Sequence, residues 1–134
     1  MKAETKESKR MLIATILLSV GLAAVAQIML KRGMVQVTAE SGVFSPASVA
    51  SLKSAAGTPL IWLGLIVFGL SALVWLAVLS RTDLSFAYPF ASLTYIIILV
   101  YGKFLADPPE PVTALRWGGV LMIIAGLVLV SRTG

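Results

Sequence analysis

Four hydroxyl-bearing side chains recur at helical intervals in FAYPFASLTY and the residue just before it. Ser85, Tyr88, Ser92 and Tyr95 are spaced by three, four and three residues, so they would share one face of an α-helix. Such a face can replace water around a polar solute, because hydroxyl groups both donate and accept hydrogen bonds. Pro89 is expected to kink this helix, because it removes a backbone hydrogen bond and crowds the carbonyl of Ser85.

The same hydroxyl groups have a purely structural explanation, because serine and threonine often join neighbouring membrane helices. Tyr88 could also belong to the aromatic belt at a membrane surface, since it lies near the end of an apolar segment. Two tyrosines beside a proline favour a cavity wall instead. A carbonyl freed by Pro89 would be costly in lipid and should face protein or water.

Three further polar side chains are candidates for contact with the same solute. Gln27 and Lys31 are four residues apart and would share a helix face. An amide inside an apolar helix needs hydrogen-bond partners, which a hydroxylated ligand or another helix can supply. Lys31 and Lys103 lie near the ends of apolar segments, where lysine commonly extends towards the membrane surface. Either ammonium group could instead attract the phosphate of a lipid-linked substrate.

The composition indicates that the elements holding these residues lie in a membrane. The 134 residues are 58% hydrophobic and only 13% charged, and the mean hydropathy is +0.96. A soluble domain of this size has too little interior to hide so much apolar surface. The net charge of +5 is typical of topology signals and contact with anionic headgroups. No basic patch interleaved with aromatic residues supports nucleic-acid binding.

Several classes of chemistry are excluded by missing residue types. The chain has no cysteine and no histidine, which excludes disulfides, thiolate or imidazole metal sites and Ser-His-Asp triads. We therefore expect neither an enzyme nor a cofactor or metal. Every acidic residue lies outside the apolar segments, whereas a proton-coupled exporter of cations normally keeps a carboxylate within the membrane. The acidic residues are Glu4, Glu7, Glu40, Asp83, Asp107 and Glu110.

Four apolar segments are long enough, with their flanking residues, to cross a bilayer as helices. The first contains AVAQ, which resembles a signal-peptide cleavage site, but the apolar run continues beyond it. The fold class is therefore an all-α membrane protein with a single four-helix domain. A long connection at residues 33–58 could hold an interfacial helix from Pro46 to about Ala56. The expected spans are residues 11–31, 59–80, 86–105 and 117–131.

Four spans place both termini on one side of the membrane. The surplus of Lys and Arg on that side comes mostly from the N-terminal tail. The positive-inside rule then favours termini inside a bacterial inner membrane, with dual topology as the alternative.

Glycines on the fourth span suggest a seam between subunits. Gly119 and Gly126 are seven residues apart, and small residues on one stripe let helices approach closely in lipid. Gly64, Gly69 and Ser71 offer further small positions on the second span. Packing within one subunit explains them as well. Four helices nevertheless hardly enclose a path for a sizeable solute, so we expect the chain to be half of a dimeric transporter.

The chain from about residue 12 resembles the four-helix members of the drug/metabolite transporter superfamily. It is most similar to the aminoarabinose–undecaprenyl-phosphate flippase subunits, ArnE and ArnF. The resemblance rests on short motifs along most of the chain. These are Ala26-Gln27, Leu30-Lys31, Ala87-Tyr88-Pro89, Ser92-Leu93, Lys103, Glu110-Pro111 and Trp117-Gly118.

The resemblance implies a homodimer, or a heterodimer with a paralogous subunit, whose groove passes a glycosyl phosphate while the polyprenyl tail stays in lipid. The first connection is longer than in that family, and the loop before Glu110 carries the extra residues DPP. The chain is also similar to small multidrug resistance proteins, but it lacks their glutamate on the first span.

Three functions remain open on the sequence alone. The favoured function is a flippase of a polyprenyl-phosphate-linked sugar. A small-molecule exporter of the same fold, acting on amphiphilic or cationic compounds, is the alternative. The third is a membrane subunit that scaffolds a glycosyltransferase without transporting anything. The flippase would bind its headgroup with six residues, namely Gln27, Lys31, Tyr88, Ser92, Tyr95 and Lys103.

Overall fold

The computed structural model describes residues 2–45 and 47–133, without the side chains of residues 2–5 and 41. The secondary structure of these residues consists of five helices. Four of them are long and apolar enough to cross a membrane, and the described residues include no strand. The predicted class, an all-α protein with four membrane-spanning helices, is confirmed. The helices are α1 (Lys2–Ser41), α2 (Val49–Ala56), α3 (Pro59–Leu79), α4 (Leu84–Phe104) and α5 (Ala114–Thr133).

Helix α1 extends well beyond the expected span of residues 11–31. Its 40 residues give a length of about 60 Å, roughly twice the hydrocarbon thickness of a bilayer. Residues 33–41, expected to be part of the connection, are helical. The apolar run ends at Lys31, but no residue stops the helix before Gly42. Gly42 has a φ of +77°, a conformation that glycine adopts readily and that ends helices.

The remaining connection folds back onto the end of α1. Ser48 caps α2, because its hydroxyl accepts a hydrogen bond from the amide of Ser51. The hydroxyl of Ser54 in α2 donates to the carboxylate of Glu40 in α1 at 3.3 Å. The expected interfacial helix therefore corresponds to α2, whereas its expected start at Pro46 lies outside the described residues.

Helices α1 and α3 form the most closely packed pair. A Cβ atom on Gly64 would lie 2.9 Å from Cγ of Leu30, and one on Gly33 would lie 2.5 Å from Cγ1 of Ile61. Both glycines therefore let the two backbones approach. The buried hydroxyl of Ser19 donates to the backbone carbonyl of a residue on α3, Ser71, at 3.0 Å.

Helix α4 closes an apolar core at the end of the molecule that carries the termini. Ile16, Val78 and Phe90 are buried there against one another. Lys9 at this end donates to the backbone carbonyl of Ser131 on α5 at 3.3 Å, so both termini lie on the same side. Helix α4 continues without interruption past Pro89.

Helix α5 is peripheral and packs chiefly on α4. A Cβ atom added at Gly119 or Gly126 would have no atom of this chain within 4 Å, apart from the helix's own nearby backbone. Met122, between the two glycines, is 77% exposed. Gly33 of α1 and Gly64 of α3 thus pack within the chain, whereas the glycine stripe of α5 faces outward.

Candidate functional site

A crevice of about 460 Å³ opens between α1, α3 and α4, and we call it the membrane crevice. Each of the three helices contributes small side chains, such as Ala23, Ala72 and Ala91, and these leave the space unfilled. Among the described residues, no acidic side chain lines it. The lining residues are Ser19, Val20, Ala23, Gln27, Phe68, Ser71, Ala72, Trp75, Tyr88, Ala91 and Thr94.

The membrane crevice presents polar groups that have no partner within the described chain. The Gln27 amide is exposed and forms no hydrogen bond with any described residue. Tyr88 meets Trp75 edge to face, with ring centroids 6.0 Å apart and planes at 77°. Three further polar groups form no hydrogen bond with a described residue: the phenol of Tyr88, the indole N–H of Trp75 and the hydroxyl of Thr94. These groups can all bind a polar solute.

The predicted polar stripe on α4 is divided by the structure. Tyr88 lines the membrane crevice, but Ser92 and Tyr95 are not among its lining residues. The hydroxyl of Ser92 donates to the backbone carbonyl of Pro89 within its own helix. Tyr95 is 44% exposed, and Lys103 is exposed in the last turn of α4. The single chain therefore brings together Gln27 and Tyr88 but not the other two hydroxyl groups.

Three residues that line the crevice were not predicted from the sequence, namely Phe68, Trp75 and Thr94. Thr94 follows Tyr88 by two intervals of three residues, through Ala91, so it is consistent with one α4 face. Trp75 could be predicted as a lining residue only from the knowledge that α3 packs beside Tyr88 of α4. No pattern within a single helix carries that information.

A second cavity, of about 690 Å³, lies at the end of the molecule opposite the termini, and we call it the charged cavity. Lys31 is located here and not in the membrane crevice. Arg32 donates from Nε to the Tyr101 hydroxyl at 2.7 Å, and its guanidinium carbon lies 5.5 Å from the centroid of that ring. The lining residues are Lys31, Arg32, Val35, Gln36, Leu60, Tyr101, Ala106, Asp107, Pro108, Pro109, Glu110 and Pro111.

Comparison with known proteins gives a consistent set of relatives. A protein of Pseudomonas aeruginosa (strain UCBPP-PA14) is 34% identical over 128 residues, which cover 94% of this chain and 98% of the relative. A protein of Serratia proteamaculans (strain 568) is 43% identical over 77 residues, covering 56% of this chain and 65% of the relative. Both are described as probable 4-amino-4-deoxy-L-arabinose-phosphoundecaprenol flippase subunit ArnE.

A third relative with the same description, from Pseudomonas fluorescens (strain Pf0-1), is 41% identical over 75 residues. That alignment covers 56% of this chain and 64% of the relative, so it spans slightly less than two thirds of that protein. No protein-family model matches the chain, and no solved structure matches it. The near full-length match and four membrane-spanning helices establish that this multi-pass membrane protein belongs to the ArnE family of flippase subunits.

Proposed function

We propose that this protein is one subunit of a bacterial inner-membrane flippase that moves a polyprenyl-phosphate-linked aminosugar between leaflets. The observation that carries the proposal is the membrane crevice, with its unpartnered Gln27 and Tyr88 side chains. The near full-length relatives are described as flippase subunits that act on such a lipid.

The crevice meets the physical requirement of flipping. The barrier arises because sugar hydroxyls and a charged phosphate must leave water for hydrocarbon. Amide, phenol, indole and hydroxyl groups in the crevice can replace the hydrogen bonds that the sugar loses. The polyprenyl tail would remain in lipid beside the open side of the crevice.

One chain alone encloses too little to carry such a headgroup. The membrane crevice is open to its surroundings, and α5 leaves Gly119 and Gly126 without neighbours in this chain. A second subunit, either another copy or a paralogous chain, would pack on this glycine stripe. The complete path would then be formed between two subunits.

The six predicted binding residues divide into three groups in this proposal. Gln27 and Tyr88 bind the sugar within the crevice, and Lys31 attracts the phosphate at its end. Ser92, Tyr95 and Lys103 contribute where the partner subunit extends the path beyond this chain. The termini face the cytoplasm, so the charged cavity opens at the opposite membrane surface.

The test is transport in phosphatidylcholine–phosphatidylglycerol vesicles that contain the protein, its co-purified partner and the aminosugar lipid. A membrane-impermeant amine-reactive reagent labels only lipid in the outer leaflet. We expect about half of the aminosugar lipid to be labelled in protein-free vesicles and nearly all of it in vesicles that contain the protein. Labelling that stops at the protein-free level contradicts the proposal. Resistance to cationic compounds upon overexpression, with proton counterflow, would favour the exporter instead.

A further inference from the structure

The charged cavity contains side chains of both signs that come from distant parts of the chain. Lys31 and Arg32 lie on α1, whereas Asp107 and Glu110 lie in the proline-rich loop between α4 and α5. Among the described residues, none of these four side chains forms an ion pair. Opposite charges that share a cavity without pairing remain available to a ligand that carries both charges.

The cationic side is held in place without being neutralised. Arg32 uses Nε to donate to the hydroxyl of Tyr101, which orients the guanidinium over that ring. Its four Nη protons stay free, and a guanidinium binds phosphate well in this state. Lys31 adds a mobile ammonium group one residue away. Both cations directly follow the apolar run of α1, and basic residues at the end of such a run are attracted to lipid phosphates.

The anionic side is positioned by the backbone of α4. The amide of Glu110 donates to the carbonyl of Gly102 at 2.8 Å, which fixes the loop to the helix. A Cβ atom at Gly102 would lie 2.9 Å from Oε2 of Glu110. A side chain at this position would push the carboxylate away from α4. Prolines at 108, 109 and 111 stiffen the segment that presents it.

We propose that the charged cavity recognises a headgroup that carries a primary ammonium group and a phosphate together. Arg32 and Lys31 bind the phosphate, and Glu110, with Asp107 beside it, binds the ammonium group. This inference rests on the proposed flippase function and extends it to selectivity. The cavity admits the free aminosugar phosphate and disfavours the same lipid with its nitrogen acylated, because an amide carries no charge for Glu110 to bind.

The test uses native mass spectrometry of the protein with its co-purified partner in nanodiscs that contain equal amounts of two lipids. One lipid is the aminosugar-phosphate polyprenol and the other is its N-acetyl derivative. We expect the wild type to retain the amino form about tenfold over the N-acetyl form. E110Q removes this preference, while K31Q weakens retention of both lipids equally. A wild type without preference, or an E110Q protein that keeps it, overturns the inference.

Two variants show whether the effect comes from the cavity or from charge in general. E40Q removes a carboxylate at the end of α1, outside the charged cavity, and should keep the full preference. G102A retains the charge of Glu110 but displaces its carboxylate, so it should lower the preference as E110Q does. Loss of preference in E40Q, or full preference in G102A, contradicts the assigned geometry. Circular dichroism establishes that each variant is folded.

Phosphatidylethanolamine offers the same pair of charges, so a second mixture contains it with phosphatidylglycerol. If the wild type retains phosphatidylethanolamine over phosphatidylglycerol and E110Q does not, the cavity binds bulk zwitterionic lipid as well. Enrichment confined to the aminosugar lipid identifies the flippase substrate as the ligand. Vesicle transport of both sugar lipids at equal rates would overturn the selectivity and leave the flippase function standing. Because the N-acetyl form has no amine to label, this comparison uses periodate oxidation of the sugar diol in the outer leaflet. Absence of all transport would instead contradict the function itself.

Discussion

Gln27 and Lys31 lie one turn apart on α1, yet they line two different cavities. Gln27 faces the membrane crevice and Lys31 faces the charged cavity. Four residues of helix correspond to an axial distance of about 6 Å. A sugar phosphate can therefore keep its phosphate near Lys31 while its sugar reaches Gln27. Helix α1 thus joins the two cavities within about one turn.

The polar groups of the membrane crevice should control the transport rate. Gln27→Leu and Tyr88→Phe remove unpartnered hydrogen-bonding groups from its wall, so the sugar would enter hydrocarbon with fewer contacts. Loss of one such contact in the rate-limiting state slows flipping by about tenfold. The rate is measured by amine labelling of the outer leaflet in vesicles.

Thr15→Val is the control, because the Thr15 hydroxyl donates to the backbone carbonyl of Met11 within α1 and lies outside the crevice lining. We expect its rate to stay within about twofold of the wild type, since about 0.4 kcal/mol corresponds to that factor. A loss in Thr15→Val as large as that in Gln27→Leu or Tyr88→Phe would mean that the effect does not come from the crevice. Thermal unfolding in detergent shows whether the variants remain folded.

Much of the fold could be predicted from hydropathy alone, because lipid forces backbone groups into helices. The number of spans follows from the lengths of the apolar segments. The true end of α1 could not be predicted in this way. Its last turns continue beyond the apolar run, and there Val37 is fully buried against other parts of the protein. Hydropathy indicates whether a segment is surrounded by lipid or by water, but it does not show which other part of the protein packs against it.

The site was harder to predict than the fold, because helix periodicity gives a face but not the neighbour of that face. The stripe on α4 contained Tyr88, which lines the crevice, yet it could not show that Ser92 satisfies its hydroxyl within its own helix. Likewise, Lys31 and Glu110 are far apart in sequence. Only the return of the α4–α5 loop to the end of α1 places them in one cavity.

The contact between α1 and α3 should tolerate no added side-chain volume. Gly64→Ala brings a methyl group to 3.2 Å from the backbone nitrogen of Leu30, and Gly33→Ala brings one equally close to that of Ile61. The helices must separate, and overpacking of this kind costs about 1–3 kcal/mol. Unfolding in mixed detergent micelles measures the change. Gly69→Ala is the control, because its methyl group would meet no atom within 4 Å; equal losses in all three would contradict this packing.

The hydrogen bond between Ser19 and the carbonyl of Ser71 should contribute modestly to stability. Interhelical hydrogen bonds in membrane proteins are worth about 0.6 kcal/mol on average. Ser19→Ala should therefore lower the free energy of unfolding by about that amount. The same micelle assay measures it. A loss comparable to that of Gly64→Ala would mean that the hydroxyl, and not the close approach of the backbones, holds the pair together.

The glycine stripe of α5 should be required for assembly but not for folding of the chain. Leucine at Gly119 or Gly126 would fill the groove that the proposed partner needs, and its Cβ atom would have no atom of another part of the chain within 4 Å. Native mass spectrometry from membranes should then release the variants as single chains and the wild type with a second subunit. Gly118→Leu is the control, since Gly118 is equally open but lies about 100° around the helix. Assembly that survives both stripe substitutions and fails in Gly118→Leu would move the seam to the adjacent face of α5.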